Sequence, residues 1–241
     1  MELGYWGLKG AGEPIRWLIK YLNLPVLEYN PNTPDEWFSD KKWKMGLKFP
    51  NLPYLIDGDF KLTETCAIPL YLIHKAHKPS MLGMDWQEKA KFRELEAIFG
   101  DIKQRVLDVV FLNQDHAKEF SRLISPGTGL STKLEYLSNY LGTKDFFFNR
   151  VTWLDFVFAY QVDILFEVSA SLGMVSPISR HPNLAKLAER VKKLQGVRER
   201  VEKAKDIPFM SSFFVKFELC SSSEAEEKME EILQNQKQVK Q

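Results

Sequence analysis

The chain changes its pattern of hydrophobic residues near residue 80, and this change constrains the fold more than any other feature. Residues 1–78 contain short apolar runs separated by glycine and proline, whereas residues 84–219 show long stretches with apolar residues at helical spacing. The segment between them begins and ends with residues that favour turns, Pro79 and Gly83. We therefore predict an α/β domain at residues 1–80, an all-helical domain at 84–219 and a charged tail at 220–241.

The first domain is predicted to contain its strands and helices in the order β-α-β-β-β-α. Strands at 2–6 and 26–29 flank an amphipathic helix that begins near Pro14, and this arrangement favours a parallel pair of strands. Strands at 52–56 and 60–62 are joined by Asp57-Gly58-Asp59, which is typical of a hairpin turn. Residues 30–48 are predicted to be irregular.

Two prolines constrain the end of this domain. Pro69 costs no hydrogen bond if it lies in the first turn of a helix, so we predict that the helix begins near Thr65 as its N-cap. The N–H groups at such a helix start can bind an anion. Pro53 opens the third strand and is able to take the cis form, which would leave the backbone of Leu52 available to an extended ligand.

The second domain is predicted to contain helices at 86–112, 115–124, 130–141, 153–172, 183–195 and 197–204. Thr152 and Asp155 are expected to form a capping box at the start of helix 153–172, which is a folding device and not a site. In the tail, Ala225, Met229 and Ile232 lie on a narrow apolar stripe at helical spacing. This tail helix either extends into solvent or binds a protein partner.

The charge balance excludes some classes of function. Lys and Arg together number 33 and Asp and Glu 32, so the net charge of +1 excludes a general electrostatic attraction to nucleic acid or anionic membranes. No apolar run is long enough to span a bilayer, and the N-terminus lacks the pattern of a signal peptide. The presence of only two cysteines suits a reducing, cytoplasmic compartment. No metal-ligand spacing is present, and Cys66 is expected to pack in the core.

Several motifs carry a resemblance to a known family. These are Leu3-Gly4-Tyr5-Trp6, the run 49–58 (FPNLPYLIDG), the run 95–102 (LEAIFGDI) and the capping box. With these motifs the chain resembles the cytosolic glutathione S-transferases, and within them the mu class, over about residues 1–215. The resemblance implies a thioredoxin-like first domain that binds glutathione as co-substrate. It also implies a helical domain that supplies a pocket for small hydrophobic electrophiles.

The resemblance assigns roles near the thiol and the glycine end of glutathione. Tyr5 matches the catalytic tyrosine, whose hydroxyl hydrogen-bonds the sulfur and lowers the thiol pKa. Trp6 would lie against the peptide. Trp37 and Lys42 match the pair that holds the glycine carboxylate, although Phe38 competes with Trp37 for its position, and neighbouring lysines at 41 and 44 compete with Lys42.

The remaining binding residues are implied in the same way. Asn51 and Leu52 would bind the cysteinyl backbone, with Pro53 in a structural role. Glu64 would pair with the γ-glutamyl ammonium, and Thr65 would bind the γ-glutamyl carboxylate. Asp101 matches an aspartate that reaches the ligand of the neighbouring subunit, which implies a homodimer.

On the electrophile side, Leu8, Ala11 and Phe111 are expected to line the pocket. Many mu enzymes carry a tyrosine at or near the position of Phe111, and phenylalanine cannot donate a hydrogen bond. Epoxide opening should therefore be poorer than aromatic substitution. Two alternatives remain: a non-catalytic subunit of a protein assembly, or a glutathione-dependent isomerase of a prostanoid or maleyl-type substrate.

Overall fold

A computed structural model describes residues 1–112 and 115–209, so the predictions for the tail at 220–241 lie outside the described residues. The strands are β1 (Glu2–Gly4), β2 (Leu27–Tyr29), β3 (Tyr54–Asp57) and β4 (Phe60–Thr63). The helices of the first unit are α1 (Glu13–Tyr21), α2 (Lys42–Lys44) and α3 (Ala67–Lys75). Those of the second unit are α4 (Trp86–Leu112), α5 (His116–Ile124), α6 (Gly129–Leu141), α7 (Trp153–Ser171), α8 (Pro182–Lys192) and α9 (Val197–Lys203).

The four strands form one sheet in the order β2-β1-β3-β4. The β1 and β2 strands are parallel because α1 connects them, and the other two pairs are antiparallel. Leu3 in β1 pairs with Glu28 on one side and with Leu55 on the other. The predicted thioredoxin-like order β-α-β-β-β-α followed by a helical unit is confirmed, with β1 ending at Gly4 instead of residue 6.

The segment predicted to be irregular contains a helical stretch. Glu36–Lys41 is π-helical and continues into α2. The cause is Trp37, which is 2% exposed and stacks on Tyr54 of the sheet with ring centroids 5.9 Å apart. Together with Leu47 these rings form a small second core that fixes the segment to the sheet.

Helix α3 begins later than predicted. Its N-cap is Cys66 and not Thr65, because Glu64 adopts the left-handed conformation (φ 81°) and its carbonyl accepts the first two N–H groups of the helix at 3.2 and 3.1 Å. Pro69 is then the third helical residue, where it still costs no hydrogen bond. Cys66 is exposed, so the prediction that it packs in the core was wrong.

The helices of the second unit agree with the predictions to within a residue, except that α8 ends at Lys192. The capping box of α7 is present. The Asp155 carboxylate accepts the Thr152 N–H (2.7 Å), the Thr152 hydroxyl (2.8 Å) and the Phe147 N–H (3.1 Å). Burial raises the pKa of Asp155 to about 6, although these hydrogen bonds act in the opposite direction.

One hydrophobic core runs through both units. Helix α1 packs against α7 and α9. Across this contact the Trp17 ring meets Tyr160 edge-on at 5.9 Å, and Tyr21 lies 5.4 Å from Phe156. The proposed boundary at 80–84 coincides with the 3-10 turn Pro79–Leu82 between α3 and α4. Among the described residues, no helix is long and apolar enough to cross a membrane.

Candidate active site

Three chain segments meet at one end of the sheet. Gly4, the last residue of β1, pairs with Tyr54, the first residue of β3, and Tyr54 pairs with Thr63, the last residue of β4. The residues that follow β1, precede β3 and follow β4 therefore lie side by side. These are the predicted site residues Tyr5 and Trp6, Asn51 to Pro53, and Glu64 and Thr65.

Tyr5 directly follows β1 and is 7% exposed. Its hydroxyl oxygen accepts the backbone N–H of Ala11 at 2.8 Å. Burial raises the pKa of Tyr5, and the Ala11 N–H and the Arg16 charge oppose this rise only in part. The phenol is therefore protonated at neutral pH. No acceptor for its proton is found within 1–112 and 115–209, so the hydroxyl can donate to a ligand.

The loop around Tyr5 depends on two glycines. A Cβ atom at Gly10 would lie 2.5 Å from the Tyr5 hydroxyl oxygen, and one at Gly12 would lie 2.5 Å from Tyr5 Cδ1. Gly10 also has φ 40°, a conformation that L side chains disfavour. The sequence pattern alone assigned no functional role to these glycines.

Arg16 holds the same loop and was also missed. It is 2% exposed, and its guanidinium donates to the carbonyls of Leu8 (2.8 Å) and Trp6 (3.1 Å). Its Nε donates to the Glu28 carboxylate at 2.8 Å. The sequence predicted an amphipathic helix here, and its only signal for Arg16 was the position three residues after Glu13.

Where the glycine end of glutathione is predicted to bind, the structure distinguishes Trp37 from Phe38. Trp37 lies in the small second core, whereas Phe38 is 44% exposed with its ring 6.2 Å from that of Trp6. The Lys42 ammonium lies 5.2 Å from the Phe38 ring centroid. Phe38 and Trp43 are therefore the exposed rings beside Lys42, whereas Trp37 is buried in the core against which Trp6 also packs.

The backbone around the third strand agrees only in part with prediction. The Leu52–Pro53 peptide bond is cis, as the sequence allowed. The Leu52 N–H is not available, however, because it donates to the Asn51 side-chain oxygen at 2.9 Å. Glu64 is exposed in its left-handed conformation, and Thr65 is half-buried. Backbone conformations of this kind in non-glycine residues are enriched at functional sites.

Asp101 lies on α4 and points to solvent, with 61% of its side chain exposed. It forms an ion pair with Lys133 of α6 at 2.7 Å, and this ammonium lowers the pKa of Asp101. The carboxylate therefore has a partner within its own chain. A contact with a ligand in a neighbouring subunit would have to share or replace this ion pair.

A cavity of about 380 Å³ opens between α1, α7 and α9. Its described walls combine four aromatic and four charged side chains, and the Lys9 ammonium lies 4.1 Å from the centroid of the Phe209 ring. The predicted wall residues Leu8, Ala11 and Phe111 are not among its described lining residues. Within 1–112 and 115–209, no group of three His, Cys, Asp or Glu side chains could hold a metal ion.

Comparison with protein-family models gives two matches. Residues 1–74 match the glutathione S-transferase N-terminal domain, and residues 130–191 match the glutathione S-transferase C-terminal domain. The first match contains the three segments that meet at the sheet end. The second contains α7 with its capping box.

Individual proteins similar to this chain are also glutathione S-transferases. The chain is 30% identical to glutathione S-transferase B of Cavia porcellus over 218 residues, which is 86% of this chain and 94% of the relative. It is 37% identical to a class-mu 26 kDa glutathione S-transferase isozyme of Schistosoma mansoni over 168 residues, which is 68% and 73% of the two chains. Among solved structures, the glutathione S-transferase Blo t 8 superposes with a TM-score of 0.73 at 27% identity, covering 85% of this chain and 93% of that one.

Proposed function

Because the chain belongs to the glutathione S-transferase family, we propose that it uses Tyr5 to activate the thiol of glutathione and conjugates it to small hydrophobic electrophiles. The observation that carries the proposal is the hydroxyl of Tyr5. Its oxygen accepts the Ala11 N–H at 2.8 Å, and no acceptor within residues 1–112 and 115–209 takes its proton, so the proton is available to a ligand. This geometry suits a donor to a sulfur atom.

The chemistry follows from this hydrogen bond. A free thiol titrates near pH 8.5, and its thiolate is the nucleophile. An O–H group that donates to the sulfur favours the charged form and lowers the thiol pKa. The thiol proton leaves to solvent, and the sulfur then forms a bond to the electrophilic carbon. In an aromatic substitution the halide leaves with the electron pair of the broken bond.

Glutathione would bind along the end of the sheet. Its γ-glutamyl group would contact Glu64 and Thr65, and its cysteinyl backbone would pair with Leu52 once Asn51 releases the Leu52 N–H. The glycine carboxylate would meet Lys42, with Trp6 beside the peptide and Asp101 contributed by a second subunit. The register of β1, β3 and β4 supports this arrangement, since it brings these segments together.

The proposal includes an electrophile pocket and a dimer. Leu8, Ala11 and Phe111 would line the pocket next to Tyr5. The family supports a homodimer and a cytoplasmic location, and large apolar side chains left exposed on this single chain are consistent with a subunit interface. The most exposed of these include Phe49 (76%), Trp86 (75%) and Met84 (68%).

The test is Tyr5→Phe, assayed with glutathione and 1-chloro-2,4-dinitrobenzene. We expect turnover to fall by more than about tenfold while the affinity for glutathione barely changes, because a hydrogen bond to a charged group contributes roughly 1.5–3 kcal/mol. Tyr136→Phe is the matched control, since Tyr136 is a 65% exposed tyrosine in the helical unit. An unchanged rate in Tyr5→Phe would refute the role of Tyr5.

A further inference from the structure

A buried ion pair joins the last described helix to the first helix. Arg200 of α9 donates from Nε to Glu13 Oε1 at 2.8 Å and from a terminal nitrogen to Glu13 Oε2 at 2.6 Å. Glu13 is 1% exposed, and the Arg200 side chain is 12% exposed. Two parallel hydrogen bonds of this kind fix both the distance and the orientation of the two groups.

Glu13 and Arg16 lie on the same helix, α1, and the Glu13 carboxylate also contacts other side chains of that helix. Its Oε1 atom also accepts the Trp17 indole N–H at 3.0 Å, and its Oε2 atom lies 3.5 Å from the Arg16 guanidinium. The nitrogen of Arg16 that faces Glu13 is the same nitrogen that donates to the Leu8 carbonyl at 2.8 Å. This nitrogen carries two hydrogens, and a third acceptor, the Lys9 carbonyl, lies 3.4 Å from it. Glu13 and the two loop carbonyls therefore share two hydrogens among three acceptors.

A second contact links the same region to the loop. The Lys9 N–H donates to the Pro208 carbonyl at 3.1 Å, shortly after α9 ends. Both contacts act on residues 6–11, the loop that presents the Ala11 N–H to the Tyr5 hydroxyl. The helical unit thus holds this loop at two points, one through a side-chain network and one through the backbone.

We infer that Arg200 is a positioning residue for Tyr5, acting through Glu13 and Arg16 on the loop that orients the phenol. The inference rests on the proposed function for its catalytic readout. While Arg200 neutralises Glu13, Arg16 is left to hold the loop carbonyls. Without Arg200, the buried carboxylate keeps only the Trp17 indole N–H and the more distant Arg16 guanidinium, and it draws that guanidinium away from Leu8. The Tyr5 hydroxyl then loses its fixed direction.

The experiment compares Arg200→Met and Arg200→Lys with the wild-type protein. For Arg200→Met we expect kcat to fall by roughly tenfold to a hundredfold, since small displacements of a positioned group have effects of this size. The KM for glutathione should change by less than about twofold, because Arg200 lies outside the proposed binding residues. The pH profile of kcat/KM should move to higher pH. Arg200→Lys should restore part of the rate, since it keeps the charge but not the paired geometry.

Two further variants separate positioning from stability. Arg190→Met is the matched control, because Arg190 forms an ion pair with Asp145 at 3.0 Å on the surface of the same unit. It should leave rate and pH profile unchanged. If Arg200→Met does not fold, Glu13→Gln combined with Arg200→Gln removes both buried charges and keeps an amide pair. If Arg200→Met lowers the melting temperature but leaves the pH profile of kcat/KM unchanged, the inference is overturned.

A spectroscopic measurement distinguishes failure of the inference from failure of the proposed function. With ¹³C-labelled tyrosine, the Tyr5 resonance is identified by its loss in Tyr5→Phe. Arg200→Met should shift this resonance whether or not the protein turns over a substrate, and Arg190→Met should not. A wild-type protein that neither binds glutathione nor conjugates it refutes the function alone, whereas an unshifted Tyr5 resonance in Arg200→Met refutes the inference alone.

Discussion

Replacing Asp155 with alanine should destabilise the protein strongly, although the residue lies outside the candidate active site. The Asp155 carboxylate is fully buried and accepts three hydrogen bonds, two from backbone N–H groups of Thr152 and Phe147 and one from the Thr152 hydroxyl. The hydroxyl can rotate toward another acceptor, whereas the two N–H groups cannot. Each buried donor left without a partner costs about 1–3 kcal/mol. At about pH 4, where the folded protein holds this carboxyl protonated, we therefore expect Asp155→Ala to lower the free energy of unfolding by about 4 kcal/mol. At neutral pH the loss should be smaller by up to about 3 kcal/mol, because the substitution also removes a buried charge.

Urea unfolding at the lower pH, followed by tryptophan fluorescence, measures this change. With a slope of about 3 kcal/mol per molar urea, the expected loss lowers the midpoint by slightly more than about 1 M. Thr152→Ser is the control, because serine keeps both the N–H and the hydroxyl and should shift the midpoint little. A loss below about 1 kcal/mol in Asp155→Ala would show that water or a neighbouring group replaces the carboxylate, and the reasoning would be wrong.

The same residue predicts a dependence of stability on pH. Burial raises the pKa of Asp155 from an ordinary 3.8 to about 6, so between these values the folded state binds a proton that the unfolded state has released. Wild-type stability should therefore fall as the pH rises from about 4 to about 6, by at most about 3 kcal/mol. Asp155→Ala should lack this part of the slope. Equal pH dependence in the two proteins would contradict the raised pKa.

Two further predictions concern the candidate site. Gly10→Ala should lower kcat by roughly tenfold or more, because its Cβ would lie 2.5 Å from the Tyr5 hydroxyl oxygen. Gly58→Ala is the control and should leave steady-state turnover unchanged, because Gly58 also has a positive φ but no atom lies within 4 Å of the added Cβ. Lys42→Ala should raise the KM for glutathione about threefold with little change in kcat, since a partly exposed ion pair contributes up to about 1 kcal/mol. Lys48 is an exposed lysine of the same segment, and an equal effect in Lys48→Ala would argue against a specific contact of Lys42.

The order of strands and helices was predictable because it depends on local patterns. Apolar spacing, the Asp57-Gly58-Asp59 turn and the position of Pro69 are all read within a few residues of the chain. Pro69 correctly indicated the first turn of α3, but the N-cap is Cys66 instead of Thr65. The left-handed conformation of Glu64 shifts the helix start by one residue, and no local sequence signal marks glutamate for that conformation.

The positions of Trp37 and Phe38 could not be predicted from a local sequence pattern. Trp37 and Phe38 are adjacent aromatic residues, and their roles depend on which one the helical turn directs toward the sheet. The π-helical geometry of Glu36–Lys41 is not apparent in the apolar spacing of this polar segment. Only the contact with Tyr54 decides that Trp37 is the buried residue.

The network around Tyr5 could not be predicted from one sequence. Glu13 and Arg200 are 187 residues apart in the chain, and neither lies in a motif. Arg16 belongs to a helix whose apolar face was recognised, but the pattern places a charged residue on the solvent side by default. A buried ion pair of this kind becomes visible only when the packing of α1 against α9 is known.

The shared core also sets how separable the two units are. A fragment that ended at residue 80 would expose the rings of Trp17 and Tyr21, which the intact chain covers with α7. It would also place the Glu13 side chain at the edge of an apolar surface, without the guanidinium that Arg200 supplies. Such a fragment would associate with itself before it could bind a peptide. The first unit therefore depends on the helical unit for its solubility as well as for its geometry.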